Sequence, residues 1–145
     1  MSTTNDQKLA HSLRDLVSTL TRNLRKQLGN PEQLSVAEEN VVRVLLSQEE
    51  ALPSELCGQL NISSQFMSQV LNRLEKLEYI SRKASKTDKR KSLVSLSKKG
   101  MKKIQQRRKE KEDLFASLIS ERYNNQQKKQ IEQAIDLLTQ LYEDR

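Results

Sequence analysis

Residues 61–100 read NISSQFMSQVLNRLEKLEYISRKASKTDKRKSLVSLSKKG. Its first half has a helical period. Ser63 offers a hydroxyl to a helix N-terminus, and Met67, Val70, Leu71, Leu74 and Leu77 line one face, with Phe66 at its margin. The opposite face carries Ser64, Gln65, Ser68, Gln69, Asn72, Arg73 and Lys76, which are hydroxyls, amides and cations. From Ile80 the period shortens towards two. Residues 80–85 and 92–96 read as short strands with Val94 and Leu96 alternating inward. Between them Lys86, Thr87, Asp88, Lys89, Arg90 and Lys91 make a basic hairpin tip.

Upstream, Asn61 suits the left-handed backbone of a tight turn, and Pro53 suits the first turn of a short helix bearing Leu56, Cys57 and Leu60. Two helices joined by a tight turn and followed by a basic hairpin form a winged helix-turn-helix. Further out, Ser35 with Glu38 forms a capping box for a helix carrying Val36, Val41, Val42, Leu45 and Leu46. The chain begins with a longer helix on which Leu9, Leu13, Leu16, Val17, Leu20, Leu24 and Leu28 form a stripe, ended by Gly29, Asn30 and Pro31. Downstream, Ser97 caps a helix with Met101 and Ile104. A polar stretch from Gln105 to Asp113 precedes Leu114, Phe115, Leu118 and Ile119. Asn124 with Gln127 caps a last helix bearing Ile131, Ala134, Ile135, Leu138, Leu141 and Tyr142.

The expected fold is therefore mainly α with a small two- to three-stranded antiparallel sheet. Residues 1–33 supply the N-terminal helix of a dimerisation region and 34–100 the winged helix-turn-helix lobe. Residues 101–145 supply a linker helix and a C-terminal dimerisation helix. A small domain cannot cover two long terminal stripes alone, which marks Leu9, Leu13, Leu16, Leu20, Leu118, Ile131, Ile135, Leu138 and Leu141 as a dimer seam.

The charge is concentrated. The 145 residues carry a net charge of +7, yet residues 62–111 hold 16 basic against 4 acidic side chains, while both flanks are mildly acidic. A block of like charge repels itself unless a polyanion neutralises it. The major groove of double-stranded DNA admits one helix, and a basic hairpin can reach an adjacent minor groove. On that reading Gln65, Ser68, Gln69 and Asn72 face base edges, Ser64 joins them on the DNA-binding face of the helix, and Arg73, Lys76, Arg82, Lys83, Lys98 and Lys99 face phosphates. One histidine, His11, and one cysteine, Cys57, leave no metal site or disulfide, and three scattered glycines leave no phosphate loop. Adjacent acids such as Glu38 and Glu39 point apart on a helix and make a poor acid–base pair, so neither an enzyme nor a cofactor is expected. Cys57 reads as an inert packed thiol. Apolar runs are about three residues long, too short for a membrane span or a signal-peptide core, and a cytoplasmic protein is expected.

The segment from Leu56 to Gly100 resembles the MarR family of bacterial transcription regulators, through Ser63, Leu71, Arg73, Leu74, Glu75, the Asp88-Lys89-Arg90 wing and the run from Val94 to Gly100. The flanking helices resemble the family layout, in which the terminal helices of two subunits intertwine. The resemblance implies that Arg90 enters the minor groove with Asp88 orienting it, and that a small-molecule effector sits between the dimer body and the DNA lobe. It implies a homodimeric, sequence-specific regulator on a pseudo-palindromic site. The alternatives are a sequence-indifferent nucleic-acid binder and a helical adaptor for an acidic protein. Two positions depart from the pattern. Glu78 stands where the family often has Gly, so either the helix ends differently or Glu78 takes an unfavourable backbone. Leu52 stands where a capping hydroxyl is usual, with Pro53 compensating.

Overall fold

A computed structural model describes residues 1–143, so the last two positions of the 101–145 segment lie outside the described residues. The elements are α1 (Thr4–Leu28), α2 (Val36–Gln48), β1 (Glu50–Ala51), α3 (Pro53–Leu60), α4 (Ser64–Lys76), β2 (Ile80–Ala84), β3 (Ser92–Leu96), α5 (Lys98–Arg122) and α6 (Asn125–Glu143). They form two units, 1–107 and 108–145, with the division inside α5.

In the first unit the helix starts follow local chemistry. Ser35 Oγ accepts the Glu38 N–H at 3.2 Å, and the Glu38 carboxylate accepts the Ser35 N–H at 2.8 Å. Thr3 and Asp6 make the same reciprocal box at α1. Ser63 Oγ accepts the Phe66 N–H at 3.2 Å, and Ser97 Oγ accepts the Gly100 N–H at 2.9 Å. Each such cap contributes about 1 kcal/mol. Leu52 makes no side-chain cap bond; Pro53 follows it at the first turn, and the Glu55 carboxylate reaches back to the Leu52 N–H at 3.4 Å. Asn61 ends α3 in the left-handed conformation, φ 52° and ψ 49°, as the tight turn requires.

β3 is the middle strand of an antiparallel sheet ordered β1-β3-β2. Ile80 pairs with Leu96, Arg82 with Val94 and Ala84 with Ser92, and the two-residue β1 sets Ala51 opposite Val94. The core lies between this sheet and the inner faces of α2, α3 and α4. Val41, Leu45, Leu56, Met67, Leu71, Leu74 and Val94 are sealed from solvent, with Val70, Tyr79, Ile80 and Ile104 close behind. Each fully buried aliphatic side chain contributes about 1.5–3 kcal/mol. Leu77, Leu96 and Cys57 pack on its edge. Val36 and Met101, expected on apolar faces, are instead exposed, since each sits in the first turn of its helix and clear of the sheet.

Along α1, Leu9, Leu16, Val17 and Leu20 are exposed and Leu13 is half-buried. In the second unit Asn124 and Gln127 cap α6 reciprocally at 2.9 and 3.0 Å. Leu118 and Ile131 are half-buried there, while Ile135, Leu137, Leu138, Leu141 and Tyr142 stand exposed.

Candidate nucleic-acid interface

The amphipathic division of α4 sets the site. With Met67, Val70, Leu71 and Leu74 buried, the helix must turn Ser64, Gln65, Ser68, Gln69, Asn72 and Lys76 outward, and all six are exposed. Phe66, beside them, is also exposed, a feature that a stripe margin leaves undecided from sequence.

The wing is held by its own polar groups. Ser85 Oγ lies 3.0 Å from Thr87 Oγ1 and accepts the Thr87 N–H at 3.3 Å, while the Ser85 N–H donates to the Lys91 carbonyl at 2.8 Å. Asp88 Oδ1 accepts the Arg90 N–H at 3.0 Å and faces Arg90 Nε at 3.4 Å. The Arg90 side chain is nonetheless 93% exposed, so Asp88 steers it without hiding it. Lys86, Lys89 and Lys91 are exposed around the tip, and so are Lys83 on β2 and Lys98 on α5. Lys99, exposed as well, reaches Glu78 Oε1 at 2.7 Å.

Two of the expected DNA-facing arginines have other partners. Arg73 donates to the Glu38 carboxylate at 2.5 Å and to the carbonyls of Glu32 at 2.9 Å and Gln33 at 3.2 Å. Glu38 is buried, so its charge needs this partner, and Arg73 fastens α4 to the α1–α2 loop. Arg82 donates to Asn72 Oδ1 at 2.8 Å and sets Nε 3.6 Å from Glu75 Oε2. Both guanidiniums are therefore engaged by partners within the lobe.

At the C-terminal end of α4 lies a second ionic cluster that the sequence pattern does not single out. Lys103 Nζ donates to Glu32 Oε1 at 2.6 Å and to the Leu77 carbonyl at 2.8 Å, and sits 4.9 Å from the centroid of the Tyr79 ring. Arg107 donates to the Gly29 carbonyl at 3.1 Å. Burial alone would raise the Glu32 carboxyl. Hydrogen bonds from Lys103 and Tyr79, with the charges of Lys103 and Arg107, outweigh it and hold Glu32 below the usual carboxylate value. Burial, reinforced by the bond and charge of Glu32, pushes the Tyr79 phenol well above the usual tyrosine value. The signal for this cluster was slight: Lys103 and Arg107 stand four residues apart on α5, hence on one face.

Glu78 resolves the question left open at its position. It adopts φ 64°, a left-handed backbone that costs a non-glycine residue about 1 kcal/mol. Ser97 Oγ donates to its carbonyl and Lys99 pairs with its carboxylate, so the start of α5 and the residue before it hold Glu78 in place.

With this geometry in view, the MarR family profile matches residues 32–91. That match spans most of the lobe, whose winged helix-turn-helix resembles the MarR family. A transcriptional regulator from Thermotoga maritima superposes with TM-score 0.81 at 18% identity, over 95% of this chain and 96% of that one. A candidate transcriptional regulator from Pseudomonas aeruginosa gives 0.77 at 27% identity, over 98% and 99%. FabT from Streptococcus pneumoniae, solved in complex with DNA, gives 0.57 at 22% identity, over 95% and 97%. No curated protein matches the chain significantly. The Thermotoga and Pseudomonas neighbours are both described as transcriptional regulators. Among the described residues no cluster of three or more His, Cys, Asp or Glu could hold a metal ion, and no helix is long and apolar enough to cross a membrane.

Proposed function

We propose that the protein is a homodimeric, sequence-specific DNA-binding transcription regulator that acts in the cytoplasm on a pseudo-palindromic operator. One observation carries this reading: Gln65, Ser68, Gln69 and Asn72 stand exposed on α4 in the same unit as a wing whose Arg90 is steered by Asp88. Amides on a helix can read base edges in the major groove, and an exposed guanidinium on a hairpin can enter a minor groove. Lys76, Lys83, Lys98, Lys99 and the wing lysines supply phosphate contacts that raise affinity without selecting sequence. FabT, a structural neighbour, is seen bound to DNA.

The exposed leucines of α1 and the exposed Ile135, Leu138 and Leu141 of α6 support dimerisation, because apolar stripes of this length are normally covered. In this reading 1–33 and 101–145 join a second copy and 34–100 binds DNA. A two-fold dimer sets its reading helices about one DNA turn apart, roughly 34 Å. A small-molecule ligand that favours one spacing of the lobes would then set the affinity, since both half-sites are engaged only when the spacing matches.

Selection of bound duplexes from a random pool at fixed salt tests the proposal. Two-fold symmetric sequences are expected. Recovery of duplexes with no shared element would identify a sequence-indifferent binder, and only weak, rapidly screened retention would favour an adaptor for an acidic protein.

A further inference from the structure

We propose that Asn72 reads DNA as a hydrogen-bond donor only, selecting guanine, and that Arg82 is the positioning residue that imposes this. The proposal rests on the regulator reading above and adds a base to it. An asparagine with a free amide recognises adenine by giving one N–H to N7 and accepting from the N6 amino group. Here the amide is not free. Arg82 Nη2 lies 2.8 Å from Asn72 Oδ1, and a guanidinium has donors but no acceptor, so the atom that faces it must be the carbonyl oxygen. The two N–H bonds of the exposed amide are left pointing away from Arg82.

Arg82 is itself restrained. Its side chain is only 27% exposed, it sits on β2 opposite Val94, and its Nε faces Glu75 Oε2 at 3.6 Å. Glu75 therefore draws the guanidinium to α4 one turn beyond Asn72 and keeps it on the oxygen edge. An adenine amino group approaching that edge meets a positive charge and a competing donor. Guanine presents two acceptors, O6 and N7, and no donor on its major-groove edge, which matches what Asn72 has left to offer. Cytosine presents an amino donor and is disfavoured with adenine.

The test begins with the preferred duplex found by pool selection. Asn72→Ala identifies the base pair whose discrimination disappears. At that pair the unaltered protein should prefer guanine over adenine by about fivefold or more. Replacing that guanine with 7-deazaguanine, which lacks N7, should weaken the unaltered protein and leave the Asn72→Ala variant unaffected. Arg82→Met should let the amide rotate and bring adenine level with guanine. Arg82→Lys, which can also only donate, should keep guanine preferred. A purely structural Arg82 would change affinity for all four bases alike and would not be rescued in this base-specific way.

Adenine as the preferred base at the Asn72-dependent pair, or indifference to 7-deazaguanine, would overturn the donor-only assignment while leaving a sequence-specific regulator. Loss of no particular discrimination in Asn72→Ala would overturn the assignment as well. Equal binding of every duplex would overturn the regulator reading and this inference together. If Arg82→Met does not fold, the base-analogue comparison on the unaltered protein still decides.

Discussion

Gly58 and Gly100 both sit inside helices, and only one has room for a methyl group. A Cβ on Gly58 meets nothing within 4 Å, whereas a Cβ on Gly100 would fall 2.1 Å from the Tyr79 carbonyl oxygen and under 3.0 Å from two more Tyr79 backbone atoms. Helix propensity alone favours alanine at either position by about 1 kcal/mol. At Gly100 the obstruction is backbone, which cannot rotate away, so the overpacking cost of about 1–3 kcal/mol or more dominates. Thermal or denaturant unfolding should show Gly58→Ala gaining up to about 1 kcal/mol and Gly100→Ala losing about 1–2 kcal/mol net. Equal shifts for both would show that α5 does not approach Tyr79 this closely.

Among the elements, the wing and the α1–α2 loop give opposite examples of how charge is used. Arg90 is almost wholly exposed, so its charge is open to an anionic partner and only weakly engaged within the lobe itself. Arg90→Ala should weaken binding to preferred and random duplexes alike and reduce the slope of log affinity against log salt by about 1, with stability unchanged. An unaltered slope would remove the wing arginine from the interface. Glu32, by contrast, works inside the lobe, tying the loop to Lys103 and Tyr79. Its carboxyl titrates below the unfolded value, so its contribution is present above the unfolded pKa and is lost as pH falls through the folded one. Glu32→Gln should be less stable than the parent at neutral pH, and the gap should close below about pH 4. A gap that stays constant from pH 7 to pH 3 would mean that the ionised carboxylate contributes nothing.

On the scale of the whole molecule, apolar surface and stability are in tension. Leu138 and Leu141 are 40% and 56% exposed, and a lysine at such a surface site ordinarily shifts stability by no more than about 0.5 kcal/mol. If a second copy covers them, the same change places charge in an apolar seam. The pair Leu138→Lys and Leu141→Lys should then halve the mass seen in sedimentation and abolish tight binding to a two-fold site, while a single half-site is still bound weakly. A variant that keeps the parent mass would place the dimer seam elsewhere.

Much of this protein follows from short-range pattern. The stripe of α4, the Ser35, Ser63 and Asn124 caps, the Asn61 turn and the hairpin all depend on residues within a few positions of one another, where backbone geometry acts directly. The two-residue β1 escaped because alternation needs more residues than it has. What sequence reasoning could not settle was the employment of each cation, since every lysine and arginine in the basic stretch looks equally free on paper. Their partners are set by packing across long separations: 35 residues between Glu38 and Arg73, 71 between Glu32 and Lys103, 78 between Gly29 and Arg107. Tertiary structure alone decided which positive charges bind the lobe together and which remain for an anionic partner, because desolvated acids such as Glu38 claim the cations that folding brings beside them.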